Sequence, residues 1–117
     1  MTRRWRDYRT ASGRRPIKEF VDGLTDVDAA AIVAAMKDVR DTGLAAARHL
    51  RGEIYEVRAD GDRQTFRILF APQGRRGQVL LALECFSKKM QKTPPAKIRL
   101  AERRLAEWRR RGEAQSH

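Results

Sequence analysis

Two short stretches hold the side chains best placed for chemistry: Glu56-Val57-Arg58, followed by Arg67, and the run Ser87-Lys88-Lys89-Met90-Gln91-Lys92-Thr93. Strand alternation puts Glu56 and Arg58 on one face of an element over residues 53–58, with Tyr55 and Val57 on the other. A strand over 65–70 turns Phe66, Ile68 and Phe70 together and Arg67 the opposite way. If the strand beginning at Val79 continues past Phe86, Lys88 joins the Glu56, Arg58 and Arg67 face. Lys89 and Lys92 then lie near its rim. The expected result is a concave cationic surface with one carboxylate.

Such a surface suits cleavage of RNA by its own 2′-hydroxyl. That reaction needs a base for the hydroxyl, positive charge around the phosphorane and an acid for the departing 5′-oxygen. Arg67 and Arg58 can donate forked hydrogen bonds to the non-bridging oxygens, where negative charge grows. Glu56, its carboxylate flanked by cations, is one candidate base. A lysine of the Lys88-Lys89 pair is the other, because crowding by cations makes a neutral amine accessible. The residues contain no Ser-His-Asp arrangement, phosphate-binding glycine loop or metal-ligand cluster, and His49 and His117 are too far apart in sequence for a typical pair. No cofactor and no metal is expected.

The elements that must position these groups follow from periodicity. Arg4 to Tyr8 alternates and predicts a first strand. Pro16 opens a short helix carrying Ile17, Phe20, Val21 and Leu24, limited by Gly23. Thr25 can cap a second helix whose stripe is Ala29, Ile32, Val33, Met36 and Val39, with Gly43 after its end. Asp60-Gly61 and Pro72 to Gly77 are turns between strands. The segment from Val79 to Phe86 is nearly all apolar, as expected for a strand covered on both faces. After Thr93-Pro94-Pro95 a last helix carries Ile98, Ala101, Leu105 and Trp108, fading from Arg109. The expectation is an α+β domain in the order β-α-α-β-β-β-α: a twisted antiparallel sheet with an N-terminal helical hairpin on one face, occupying residues 1–111, with a disordered tail over 112–117.

The chain of 117 residues has 26 Lys plus Arg against 15 Asp plus Glu, a net +11. Nucleic acid is the first partner this implies, because neutralising phosphates releases counterions; an anionic membrane surface or an acidic protein are the others. Arg75 and Arg76 in the second turn, with Lys92 and Thr93, are further candidates for RNA contact. The single Cys85 excludes an internal disulfide and a multi-cysteine zinc site, and its apolar setting reads as core. No apolar run approaches the ~18 residues of a membrane span, and no signal-peptide pattern stands at the start, so a cytoplasmic setting is expected. Spacing alone stops at a basic α+β domain that binds a polyanion.

Three segments also carry a resemblance: Arg14-Arg15-Pro16-Ile17-Lys18-Glu19-Phe20; His49-Leu50-Arg51-Gly52-Glu53-Ile54-Tyr55-Glu56-Val57-Arg58 through Phe66-Arg67-Ile68-Leu69-Phe70; and Phe86-Ser87-Lys88-Lys89-Met90-Gln91-Lys92-Thr93-Pro94. In order and spacing these resemble the RelE/ParE toxin superfamily, specifically its HigB-like, often phage-encoded branch. The resemblance implies a small basic toxin that enters the ribosomal A site and cuts mRNA without a metal. It also implies neutralisation by a cognate antitoxin, commonly a helix-turn-helix protein of the HigA type. Glu56, Arg58, Arg67, Lys88 and Lys89 match the family's catalytic positions. The Tyr or His that several relatives place near the C-terminus is missing here, which leaves the acid open. Two alternatives stay open beside the nuclease: a ParE-like inhibitor of DNA gyrase with the same fold, and a non-toxic basic regulator that binds nucleic acid.

Overall fold

The computed structural model describes residues 2–88 and 92–115, with side chains as far as Gly112. Pro16 begins α1 (Pro16–Asp22), where its fixed φ suits the first helical position, and the Gly23 and Leu24 N–H groups close the helix on the carbonyls of Phe20 and Val21. Thr25 caps α2 (Asp26–Thr42) by accepting the Asp28 N–H at 3.2 Å. Gly43, at φ 91°, ends it in a conformation that side chains avoid. A 3₁₀ turn at Leu44–Ala46 leads into the sheet.

The sheet comprises β1 (Arg4–Asp7), β2 (Arg48–Arg51), β3 (Ile54–Asp60), β4 (Thr65–Gln73) and β5 (Val79–Lys88), in the order β1-β5-β4-β3-β2. The β2–β3, β3–β4 and β4–β5 pairs are antiparallel, whereas β1 runs parallel to β5. Two expectations are corrected here. The sheet is mixed, because the chain leaves β1 through the helical hairpin and returns at the far edge, so the meander brings β5 beside β1 in the same direction. The order is also β-α-α-β-β-β-β-α, because Arg48-His49-Leu50-Arg51 forms an edge strand. With one apolar residue in four, that strand shows no alternation to read.

The hairpin covers one face. Tyr55, Val57 and Ala59 of β3 lie opposite Phe70, Ile68 and Phe66 of β4, beneath the buried Ile32 and Val39 of α2. Phe20 meets Phe66 edge-on at 6.1 Å. Trp5 meets Phe70 edge-on at 5.1 Å and donates its indole N–H to the Met36 carbonyl at 2.7 Å. Each large side chain buried here contributes roughly 1.5–3 kcal/mol. The other face is covered at one end by α3 (Pro95–Gln115), whose Ala101 and Leu105 are buried. Arg51–Glu102 and Arg109–Glu53, each at 2.6 Å, tie α3 to the sheet, and Glu84 takes Lys97 at 2.9 Å and Arg104 at 3.4 Å. The helix continues to Gln115, beyond the expected boundary at 111.

A register shift at Leu69/Phe70 decides where the chemistry falls. Phe70 pairs with Ala82, but Leu69 pairs with Glu84, so β5 contributes one extra residue. Beyond this bulge Glu84, Phe86 and Lys88 share a face with Leu69, Arg67 and Thr65. With strict alternation Lys88 would point into the hairpin instead.

Candidate active site

Glu56 on β3, Arg67 on β4 and Lys88 on β5 come together at the end of the second face that α3 leaves uncovered, and Arg58 stands directly opposite Arg67. The centre of the expected cationic face is shut off from water. Glu56, Arg67 and Lys88 are only 3%, 7% and 8% exposed. Pro94 and Pro95 launch α3 back across this face, and the segment before them packs down on it: Thr93 is buried and its hydroxyl donates to Glu56 Oε1. Arg67 Nη1 donates to the other oxygen, Oε2, at 2.8 Å. Both oxygens of the carboxylate are thus engaged inside the fold.

Lys88 is unlike them. Its buried ammonium finds no hydrogen-bond partner among the described residues. Burial lowers its pKa from the usual lysine value, and Arg67 and Arg48 push the same way against the pull of Glu56. An unpaired buried cation is costly, and a dehydrated lysine whose neutral form is accessible is a chemical asset. Arg58 and Arg67, like charges facing each other across neighbouring strands, are a second unfavourable placement. Arg58 is exposed and relieved by Asp60, 3.0 Å away.

In front of the pair lies an open pocket of about 390 Å³, lined by Ala46, Ala47, Arg48, Glu56, Arg58 and Arg67. Arg48 was not singled out from the sequence. It pairs with Glu56 across β2 and β3, and among the described residues it has no acidic partner. Its signal was hidden with β2: recognised as a strand, residues 48–51 would have placed Arg48 beside Glu56. The pocket thus brings three forked guanidiniums around one carboxylate that is already committed, which suits a phosphate.

The other candidates fall differently. Lys92 is exposed next to Thr93. Thr93 itself holds Glu56 rather than facing solvent. Arg75 and Arg76 lie in the β4–β5 turn, roughly 20 Å from Arg67 by the strand rise over six residues. Lys89 lies outside the described residues. No cluster of His, Cys, Asp and Glu that could hold a metal occurs among the described residues, and no helix there is long and apolar enough to cross a membrane. Cys85 is buried in the core, as its setting suggested.

An α+β fold with three helices and a five-stranded mixed sheet is compatible with the RelE-like expectation. Residues 19–106 match the phage-derived Gp49-like protein family (DUF891), and the chain belongs to that family. It is similar to the proteins named probable endoribonuclease HigB1 in Mycobacterium tuberculosis strains CDC 1551/Oshkosh and ATCC 25618/H37Rv. Both are 37% identical to it over 110 residues, covering 91% of this chain and 85% of the relative. The HigB-like resemblance of the three sequence segments agrees with both comparisons.

Proposed function

We propose that this chain is the toxin of a type II toxin–antitoxin system, a cytoplasmic endoribonuclease that cuts mRNA in the ribosomal A site and so stops translation. One observation carries the reading: a dehydrated, unpartnered Lys88 beside the Glu56–Arg67 pair, behind a pocket edged by Arg48 and Arg58. The names of the relatives support the reaction class.

In this reading Arg67, Arg48 and Arg58 hold the scissile phosphate and take up the charge that grows on its non-bridging oxygens. Lys88 in its neutral form accepts the proton of the 2′-hydroxyl. The 2′-oxygen bonds to phosphorus and the 5′-oxygen leaves, giving a 2′,3′-cyclic phosphate and a 5′-hydroxyl. Glu56 is a positioning residue: with one oxygen on Thr93 and the other on Arg67, it fixes the guanidinium rather than taking the proton itself. Lys92 supplies further charge beside Thr93, and a lysine of the segment after Lys88 protonates the leaving oxygen. General acid and base catalysis typically contribute 10²–10⁴-fold. The remainder must come from alignment of the RNA for in-line attack, which a ribosome that holds the mRNA would supply. The chain needs no metal for this chemistry. Its partner is a cognate antitoxin of the helix-turn-helix, HigA-like type.

The test is cleavage of a defined mRNA on 70S ribosomes with an occupied P site, against the same RNA without ribosomes, using wild type, Lys88→Met and Arg48→Ala. Cleavage confined to ribosomes, abolished by Lys88→Met and reduced by Arg48→Ala, is the expected outcome. Growth arrest in cells without any RNA cleavage would sink the nuclease reading and make DNA gyrase the next target to assay. An absence of growth arrest as well would favour a non-toxic nucleic-acid-binding regulator.

A further inference from the structure

A second recess lies elsewhere. At the exposed edge of β1, between α1 and the end of α3, a cleft of about 590 Å³ is lined by Trp5, Arg6, Arg9, Arg15, Trp108 and Arg111, with Asp7 and Gly112. Both tryptophans of the chain are here. The one acidic group in the lining is already committed, because Asp7 accepts two bonds from Arg15, at 2.9 and 2.7 Å. Arg6 has no acidic partner among the described residues, and Arg9 makes no ion pair at contact distance, although its charge reaches Asp7. Arg111 is held in place by its contact with the Tyr8 ring at 5.4 Å and by donation to the Arg9 carbonyl. Its buried Nε–H lacks an acceptor; Glu107 stands 3.5 Å away.

We propose that this cleft is a second RNA-binding site, in which the guanidiniums of Arg6, Arg9 and Arg111 take backbone phosphates and the indoles of Trp5 and Trp108 take a base. The choice of RNA among polyanions rests on the endoribonuclease reading above. The cleft's own chemistry supports it: forked guanidiniums match phosphate geometry, and flat aromatic faces among cations are how single strands are held without regard to sequence. No aliphatic side chain lines the cleft itself; the aliphatic Ile17, Val21 and Val33 lie in an adjoining groove beyond Asp7 and Arg15. The six residues of β5 from Ala82, beside Asp7, to Lys88 span roughly 20 Å. The two sites therefore grip different stretches of RNA. Binding at the edge raises the effective concentration of RNA at the pocket.

The position of the two tryptophans supplies the readout. The probe is a 2′-O-methyl RNA dodecamer, which cannot be cut because its attacking hydroxyl is blocked. It is titrated into the full chain while indole emission and the anisotropy of a 3′-fluorescein are both followed, with cleavage of unmodified mRNA on ribosomes assayed separately. The inference expects a saturable change in indole emission that tracks the anisotropy. The exposed pair Arg6→Ala with Arg9→Ala should weaken binding about tenfold near 0.15 M salt. Losing two phosphate contacts should also flatten the slope of log K against log salt by about 1.4, at about 0.7 per contact on a single strand. Anisotropy that rises while indole emission stays constant would overturn the inference, as would a double variant that binds like wild type. A glutamate-rich dodecapeptide that binds as tightly as the RNA would overturn it in favour of a protein partner. RNA-dependent indole emission in a chain that never cleaves would leave this site standing and remove the nuclease reading. Cleavage with silent indoles would do the reverse.

Discussion

The buried Glu56–Arg67 pair should prove to be held for function at no gain in stability, and replacing it with methionines tests this. Both side chains are almost fully removed from water, and they lie 2.8 Å apart. Removing one partner of such a pair strands the other and costs about 3–5 kcal/mol, whereas replacing both with apolar residues is neutral or stabilising by about 1–4 kcal/mol. For 117 residues the whole stability is roughly 6–18 kcal/mol, and the unfolding entropy near 60 °C is about 0.25 kcal/mol/K. A single variant should therefore lose about 12–20 °C in Tm. The two singles should differ. Glu56→Met leaves Arg67 and Lys88 as neighbouring buried cations and falls at the costly end. Arg67→Met leaves a carboxylate that keeps the Thr93 hydroxyl, and falls at the mild end. In the double variant the effects on Lys88 cancel in sign, because Arg67 disfavours and Glu56 favours its charge. It should melt at or above the wild type and cleave nothing. Urea unfolding of all four proteins gives the cycle. Additive costs, with the double some 6–10 kcal/mol below wild type, would refute the reasoning, since the two sites would then act without coupling.

Burial and Arg67 lower the Lys88 pKa in the folded state, so its charge opposes folding most fully below that depressed pKa and the penalty fades as pH rises toward the unfolded value. Lys88→Met should accordingly be more stable than wild type near pH 7 and converge with it near pH 10, by denaturant titration across pH. As a base, Lys88 should also make single-turnover cleavage on ribosomes climb with pH through the neutral range; a flat profile would remove it from that role. Thr93→Val should cost about 1.5–3 kcal/mol, the range for a hydrogen bond to a charged group, and lower the cleavage rate, with Thr93→Ser restoring both. Burial pushes the Cys85 thiol up to about 12, so iodoacetamide should label it only in denaturant, as mass spectrometry of the intact chain would show.

What could be read from the residues was whatever a local pattern writes. Thr25 and Gly43 bracket α2 because a cap and a left-handed stop are properties of single positions. Gly61 makes the turn before β4, and the nearly all-apolar run of β5 matched a strand buried on both sides. Glu56, Arg58, Arg67 and Lys88 could be grouped by alternation, although Lys88 reaches that face only through the extra residue at the bulge, which no local pattern marks. The parallel docking of β1 and the edge strand with Arg48 were not readable. Both depend on partners more than 70 residues away in one case, and on a strand without alternation in the other.

Burial is the property the residues do not display, and it bears on mechanism. Lysines and arginines on a strand face look solvated in a sequence, and in water a lysine is a poor base. What changes Lys88 is burial beside Arg67 and Glu56, with Thr93 seated on that carboxylate; α3, which starts just after Thr93, is clamped to β5 through Glu84, Lys97 and Arg104. Read alone, that helix is only a wet amphipathic one, and its ion pairs are individually worth little. Together they fasten α3 to β5 two residues after Thr93, so charges that look like solubility devices help hold the segment that seats Thr93 on Glu56. The cations of the molecule thus divide by use. Lys97, Arg104 and Arg109 of α3 neutralise carboxylates and fasten that helix, while Arg48 by the pocket and Arg6 at the β1 edge stay without acidic partners among the described residues. Other cations without an ion pair among the described residues, such as Arg75, Arg76 and Arg103, line neither recess, so Arg48 and Arg6 are set apart by their place in the fold and not by their charge alone.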